Sequence, residues 1–333
     1  MLKRIYGCIA GLALGDAMGM PTEFLTPDQI GKYYGRINSL EKAPSWHPHS
    51  ILPAGTITDD TGQALAIAHA CYPTGEINAE NAAKYLLEWE DSLPEEVRQV
   101  IEGPSTRAAL SELRQGNDPR QSGRNGKTNG AAMRMAAIGL LHAGNPGGAI
   151  PAAIEASLPT HATSTALSGA VCVACAVAAA CNENSTLSSI LQAAKDGADH
   201  GAKHGVWSWS TPLSSRIDLA VHLVEQASSE EDALNSIYRY VGVDMLVSES
   251  VAASMGVVLL AQGDPMKAVR FGAMIGGDTD TIAAIAGQIC GAFRGGDALD
   301  NKLIAQVESV NHLNFLDESR MILDLLAAKG LTG

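Results

Sequence analysis

Segments rich in Ala and Leu, with apolar residues at helical spacing and Gly, Pro or Asn at their ends, recur along most of this 333-residue chain. Hardly any stretch alternates β-branched with polar residues, which is the pattern of a half-buried strand. The sequence therefore predicts an all-α fold. The predicted helices lie near residues 3–18, 59–71, 79–91, 105–115, 130–142, 148–157, 163–181, 186–200, 214–227, 231–240, 247–261, 265–274, 280–294, 300–311 and 316–328.

Two longer irregular segments, residues 35–58 and 115–128, separate some of these helices. Neither has the length or the low complexity of an interdomain tether, and each lies between apolar helices. A chain of this length can form one large domain. We therefore predict a compact single domain over residues 1–333.

Charge and hydropathy limit the partners of the chain. The formal net charge is −13 and basic residues do not cluster, so nucleic acid is not an expected partner. The longest apolar run, residues 169–181, is shorter than the roughly 20 residues that a membrane span needs. No membrane association is expected.

The cysteines and the amino terminus bear on the cellular compartment. The six cysteines lie mostly among small apolar residues, and the pair Cys172 and Cys175 is not followed by a second Cys/His pair at metal-ligand spacing. Lys3 and Arg4 precede an apolar stretch as in a secretory signal, but the acidic Glu23 does not fit one. We expect free thiols and a cytoplasmic location.

Two acidic segments, Thr58-Asp59-Asp60-Thr61 and Gly276-Gly277-Asp278-Thr279-Asp280-Thr281, each stand directly before an apolar helix. Capping explains one Asp or Thr at such a place, where an acidic side chain gains about 0.3–1 kcal/mol from the helix dipole. The remaining carboxylate and hydroxyl oxygens suit a hard divalent cation such as Mg²⁺ or Mn²⁺, whereas zinc would favour His and Cys. Metal binding and plain solvated turns both remain open on spacing alone.

A third acidic segment places Asp16 and Glu23 in a glycine-rich, apolar background. We interpret Asp16 as a local hydrogen-bond anchor that ends the first helix. Glu23 follows Pro21 in an irregular segment and is freer to point into a cleft.

Three further features are candidates for substrate contact. The polar loop before Gly130 enters a helix and can present N–H groups to a phosphate, although an ordinary Asn-Gly turn would look the same. His161 also stands near a helix start, where a structural role is the alternative. Trp207 and Trp209 could stack on a base or simply pack.

Taken together and in this order, the motifs strongly resemble the ADP-ribosylglycohydrolase family, and the resemblance spans residues 3–295. The motifs are Leu14-Gly15-Asp16-Ala17-Met18-Gly19 with Glu23, Thr58-Asp59-Asp60-Thr61, Asn129-Gly130-Ala131-Ala132-Met133-Arg134, His161, and Gly276-Gly277-Asp278-Thr279-Asp280-Thr281. The resemblance implies an all-α, single-domain fold with two divalent cations, Mg²⁺ or Mn²⁺, at the bottom of a cleft.

The resemblance also implies a role for each matching residue. The implied metal ligands are Thr58, Asp59, Asp60, Asp278, Asp280 and Thr281. The implied substrate-binding residues are Asn129, Gly130, Ala131, Ala132, Met133 and His161. Glu23 and Asp280 would assist catalysis.

The reaction implied by the resemblance is hydrolysis of the glycosidic C1″ bond of an ADP-ribosyl group, carried by a protein or by a small ADP-ribose derivative. The segments 46–53 and 203–215 match nothing that identifies a leaving group, and we expect them to select it. Two alternatives remain: a hydrolase of a free nucleoside or small ribosyl metabolite, and a non-catalytic ADP-ribose-binding or crystallin-like relative.

Overall fold

Residues 1–330 of the computed structural model form nineteen α-helices, and isolated β-bridges are the only strand-type pairing within this range. The predicted all-α class is confirmed. The last three residues of the predicted domain lie outside the described part. The helices are α1 Leu2–Gly19, α2 Pro27–Tyr34, α3 Asp59–Cys71, α4 Ala79–Ser92, α5 Glu95–Ile101, α6 Pro104–Arg114, α7 Pro119–Ser122, α8 Gly130–Met133, α9 Ala136–Leu141, α10 Pro146–Ser157, α11 Ser164–Ala180, α12 Leu187–Gly201, α13 Leu213–Gln226, α14 Glu230–Ser236, α15 Val247–Leu260, α16 Pro265–Met274, α17 Thr279–Arg294, α18 Asn301–Asn311 and α19 Phe315–Ala328.

The structure corrects the predicted elements at a few places. The predicted helix 130–142 is two helices, α8 and α9, because the backbone of Arg134 (φ −95°, ψ 16°) and Met135 (φ −85°, ψ 3°) leaves the helical region. The short helices α2, α5 and α7 were not predicted. A brief 3₁₀ turn, Pro48–Ile51, lies within the irregular segment 35–58.

Helices α1 and α17 pack against each other with their backbones in contact. Gly7, Gly11, Gly15 and Gly19 are spaced four residues apart and so share one face of α1. A Cβ atom at any of the four would come within 3.0 Å of backbone atoms of α17 or of the turn that follows it. Glycine is therefore required along this face, and the carboxyl end of α1 meets the amino end of α17.

One apolar cluster contains buried residues from α1, from α19 and from most of the helices between them, and α11 lies inside it with nearly every residue buried. The cysteines within residues 1–330 are all free and buried, as predicted. Burial raises the pKa of the Cys172 thiol well above its usual range, so this side chain behaves as an inert apolar group. In the described part of the chain, no helix has both the length and the apolar character that crossing a bilayer requires.

Candidate active site

Asp16 fastens the carboxyl end of α1 to the beginning of α3. Its buried carboxylate accepts hydrogen bonds from the backbone N–H and the hydroxyl of Thr58, at 2.9–3.0 Å, and from the backbone N–H of Thr61 at 3.0 Å. The hydroxyl of Thr61 donates a further bond at 2.5 Å. The interpretation of Asp16 as a local anchor that ends α1 is wrong, since α1 continues to Gly19 and the bonded residues are more than forty positions away along the chain.

The two acidic segments of the sequence meet at this anchor. Thr58 caps α3, and Asp59 and Asp60 occupy its first turn. Asp278 occupies the N-cap position of α17 without a capping bond from its side chain, and Asp280 lies in the first turn. The hydroxyl of Thr281 donates to Oδ2 of Asp60 at 3.2 Å, which joins the two helix starts directly.

Carboxylate oxygens from distant parts of the chain come within 4.8 Å of one another in two overlapping groups. One group is Asp16, Asp60 and Asp280, and the other is Glu23, Asp278 and Asp280. Asp59 stands beside them, and its Oδ2 accepts from the side-chain amide of Gln63 at 2.9 Å and from the N–H of Gly103 at 3.3 Å.

The chemistry of these donors fits a hard divalent cation. All of them are carboxylate or hydroxyl oxygens, which Mg²⁺ and Mn²⁺ prefer. Oδ1 of Asp60 is buried and has no hydrogen-bond partner within the described residues. A buried carboxylate oxygen without a donor is costly unless a proton or a cation neutralises it, so this atom is a candidate ligand position.

Mutual repulsion and burial keep protons on the cluster. Burial, followed by the charges of Asp16 and Asp59, raises the pKa of Asp280 to about 7. Burial raises the pKa of Asp59 to about 8. Burial, followed by the charge of Asp280, raises the pKa of Asp60 and of Glu23 well above their usual ranges. Such a group releases its protons when a cation binds.

Glu23 reaches the cluster from the irregular segment after α1, and two buried histidines hold it there. The backbone carbonyl of Glu23 bonds to Nε2 of His47 at 2.6 Å. One carboxylate oxygen of Glu23 lies 3.4 Å from Nε2 of His49. Both histidines belong to the segment 46–53, and they lie beneath the acid.

The acidic cluster lines a cleft of about 130 Å³. The cleft is also lined by the turn that joins α5 to α6 and by the start of α6, with Glu102, Gly103 and Thr106. Met245 and the exposed ring of Phe24 complete it. None of these five residues was predicted, because no local motif marks them; only the tertiary fold brings them to the cleft.

The predicted substrate loop divides into two parts. Asn129, Gly130 and Met133 line the cleft, and the side-chain amide of Asn129 donates to Asp278. Ala131 and Ala132 are buried in the core and do not line it. This part of the loop packs the start of α8 against the rest of the molecule.

His161 and Arg134 lie behind the loop and are fully buried. A Cβ atom at Gly130 would stand 2.8 Å from Cε1 of His161, so the ring supports the loop from below. The guanidinium of Arg134 donates to Oε1 of Gln63 at 2.6 Å. The side-chain amide of Gln63 in turn donates to Oδ2 of Asp59.

Trp207 and Trp209 remain 80% exposed, so they do not pack into the core. Their loop is held by backbone hydrogen bonds between Val206 and the residues Ala162 and Ser164. Neither tryptophan lines the cleft.

Comparisons with known proteins identify a family and several relatives that the chain resembles. It matches the ADP-ribosylglycohydrolase family model over residues 1–330. It is 35% identical over 316 residues to the uncharacterized protein YegU of Escherichia coli (strain K12), which covers 94% of each chain. It is 30% identical over 166 residues to the ADP-ribosyl-dinitrogen reductase glycohydrolase of Rhodospirillum rubrum, covering 47% of this chain and 51% of that protein. A solved structure, an ADP-ribosylglycohydrolase-related protein complex, shares the fold with a TM-score of 0.69 at 23% identity, over 96% of this chain and 98% of that chain.

Proposed function

The chain belongs to the ADP-ribosylglycohydrolase family, and we propose that it is a divalent-metal-dependent hydrolase of the glycosidic C1″ bond of ADP-ribosyl groups. One observation carries the proposal: carboxylates from three separate segments, at residues 16–23, 59–60 and 278–280, lie together at a single cleft, and each segment contributes at least one carboxylate to its lining. A solvated turn or a helix cap gives no reason for such convergence.

Two divalent cations, Mg²⁺ or Mn²⁺, would be held by the oxygens of six residues. These are Thr58, Asp59, Asp60, Asp278, Asp280 and Thr281. The chemistry that the cations would supply when bound is Lewis acidity toward the ribose hydroxyls and toward a water molecule.

Glu23 and Asp280 are the proposed proton-transfer residues. Both line the cleft, and both have pKa values raised from the usual range of a carboxyl by burial. A carboxylate beside the cleft can accept a proton from water and return it to a leaving group, as glycoside hydrolysis requires. Glu23 lies outside the two helix starts, so it can serve the reaction without giving up a cation ligand.

The loop at Asn129, Gly130 and Met133 faces the same cleft and is proposed to receive the diphosphate of the substrate. Gly130 is the first residue of α8, and because it has no side chain its backbone can lie against the ring of His161. Ala131, Ala132 and His161 support this loop from the core side. The proposed partner is an ADP-ribosylated protein or a small ADP-ribose derivative.

The experiment is an activity panel. The protein is incubated with Mg²⁺ or Mn²⁺ and with ADP-ribosyl-arginine protein, ADP-ribosyl-serine peptide, ADP-ribose-1″-phosphate or free nucleosides, and products are separated by chromatography. We expect release of ADP-ribose from one of the first three substrates and no release after chelation of the metal.

A matched pair of variants tests the site assignment. Asp280→Asn removes a charge from the cluster and is expected to abolish release. Asp218→Asn removes a charge from an exposed pair with Lys195 and is expected to leave activity unchanged. Cleavage of nucleosides alone would show that the substrate is smaller than an ADP-ribosyl compound. Binding of ADP-ribose without any cleavage would favour a non-catalytic protein.

A further inference from the structure

A buried chain of hydrogen bonds runs from Arg134 to the cleft. The guanidinium of Arg134 donates from Nη2 to the hydroxyl oxygen of Thr160 at 2.7 Å. That hydroxyl lies 2.8 Å from Nδ1 of His161, and Nε2 of the same ring lies 3.0 Å from the hydroxyl of Thr128. Thr128 lines the cleft. The first three residues of this chain are fully buried, so water does not complete their bonds.

Counting protons fixes the direction of every bond in the chain. Arg134 has only donors, so Thr160 must accept from it. The hydroxyl proton of Thr160 then has a single acceptor within the described residues, Nδ1 of His161. A buried hydroxyl with no acceptor is costly, so Nδ1 carries no proton.

The ring of His161 is neutral and carries its one proton on Nε2. Burial, together with the charge of Arg134, keeps the pKa of His161 well below its usual range. Nε2–H therefore donates to the oxygen of Thr128. The hydroxyl proton of Thr128 is left without an acceptor in residues 1–330 and is free to turn into the cleft.

We infer that Thr128 binds the ligand as a hydrogen-bond donor to an anionic oxygen of its diphosphate, and that Arg134, Thr160 and His161 are positioning residues that keep its proton available. The inference rests on the proposed function for the identity of the ligand. Two backbone contacts fix Thr128: a bridge to Leu246 and the bond from Asn129 N–H to Met245 O at 3.0 Å. The opposite tautomer of His161 would turn the same hydroxyl inward, toward Nε2.

The first test measures ADP-ribose binding by titration calorimetry. Thr128→Val keeps the shape of the side chain and removes the hydroxyl. We expect it to weaken binding roughly tenfold to a hundredfold, as for a hydrogen bond to a charged group. Thr165→Val makes the same change at a half-buried position outside the cleft, where the hydroxyl donates to Ser208 O, and should leave binding unchanged. Equal binding by the parent and Thr128→Val overturns the inference.

The second test distinguishes positioning from mere support. Thr160→Val should weaken binding in the parent but have no further effect in Thr128→Val, because the relay acts only through that hydroxyl. Thr160→Ser restores the hydroxyl and should restore affinity. Additive losses in the double variant would overturn the positioning role.

Nitrogen NMR of the ligand-free protein separates this inference from the proposed function. We expect the proton of His161 on Nε2 in the parent. A proton on Nδ1 overturns the relay whatever the protein binds. Failure of the parent to bind ADP-ribose overturns the proposed function and the diphosphate as the acceptor. The position of the proton on His161 would still test the hydrogen-bond chain from Arg134 to Thr128.

Discussion

Gly11→Ala should destabilise the protein because it forces α1 and α17 apart. The added Cβ would lie well inside 3.0 Å of the carbonyl oxygen of Gly287, an atom that cannot rotate away. Overpacking costs about 1–3 kcal/mol, and the upper end applies against rigid backbone. Ala gains about 1 kcal/mol over Gly in helix propensity, which leaves a net loss of about 2 kcal/mol. For 333 residues the unfolding entropy is about 0.7 kcal/mol per kelvin, so the melting temperature should fall by about 3 °C.

Gly31→Ala is the matched control for this prediction. Gly31 lies inside α2, and a Cβ there would meet no atom within 4 Å. The same substitution should therefore stabilise the protein by roughly 0.5–1 kcal/mol and raise the melting temperature by about 1 °C. Calorimetric melting of both variants beside the parent measures the difference in sign. A Gly11→Ala protein that melts at or above the parent temperature would refute the argument for backbone contact.

Two predictions concern the acidic cluster. Asp60→Asn should raise the melting temperature in EDTA, because the amide removes the free-energy cost of either protonating this carboxyl or burying its charge. The variant should also lose the stabilisation that Mg²⁺ gives the parent, and equal responses to Mg²⁺ would contradict a ligand role. In EDTA the parent should lose stability as the pH rises from about 4 to about 8, because the raised pKa of Asp59 makes the folded state hold more protons than the unfolded state across that window. The unfolding free energy should fall by up to about 1.4 kcal/mol per pH unit for each retained proton. Saturating Mg²⁺ should remove this pH dependence. Stability that rises with pH in EDTA would refute the raised pKa values.

The sequence predicts the long helices because their apolar spacing repeats over many residues. It misses α2, α5 and α7, which are too short to show a period. One of them does carry a readable signal: Thr26 and Gln29 form a capping box and Pro27 occupies the first turn of α2. The break between α8 and α9 has no such signal, since the buried Arg134 bonds to residues far along the chain.

The candidate site likewise contains residues that the sequence predicts and residues that it does not. Asp59, Asp60, Asp278 and Asp280 were predicted because each pair lies in one short motif before an apolar helix. Glu102 and Met245 were missed because they reach the cleft only through tertiary packing. Thr128 stood beside a predicted motif, but its role depends on the proton of a histidine thirty-three positions away, which no local pattern encodes.

The glycine-lined contact and the acidic cluster depend on each other. Gly19 lies against the backbone of Asp280, and Asp16 holds the start of α3, so three helix ends are fixed at the point where like charges meet. Carboxylates on a looser frame would move apart and lower their repulsion, and they would then be too far apart to share a cation. For the proposed cation site, a frame that is rigid before binding gives higher affinity, because a site assembled only on binding would subtract its ordering cost. The free energy that tight packing contributes to stability partly offsets the repulsion between those charges. Loosening that contact should therefore reduce cation affinity along with stability, so Gly11→Ala should bind Mg²⁺ more weakly than the parent in calorimetric titration, whereas Gly31→Ala should bind it equally well.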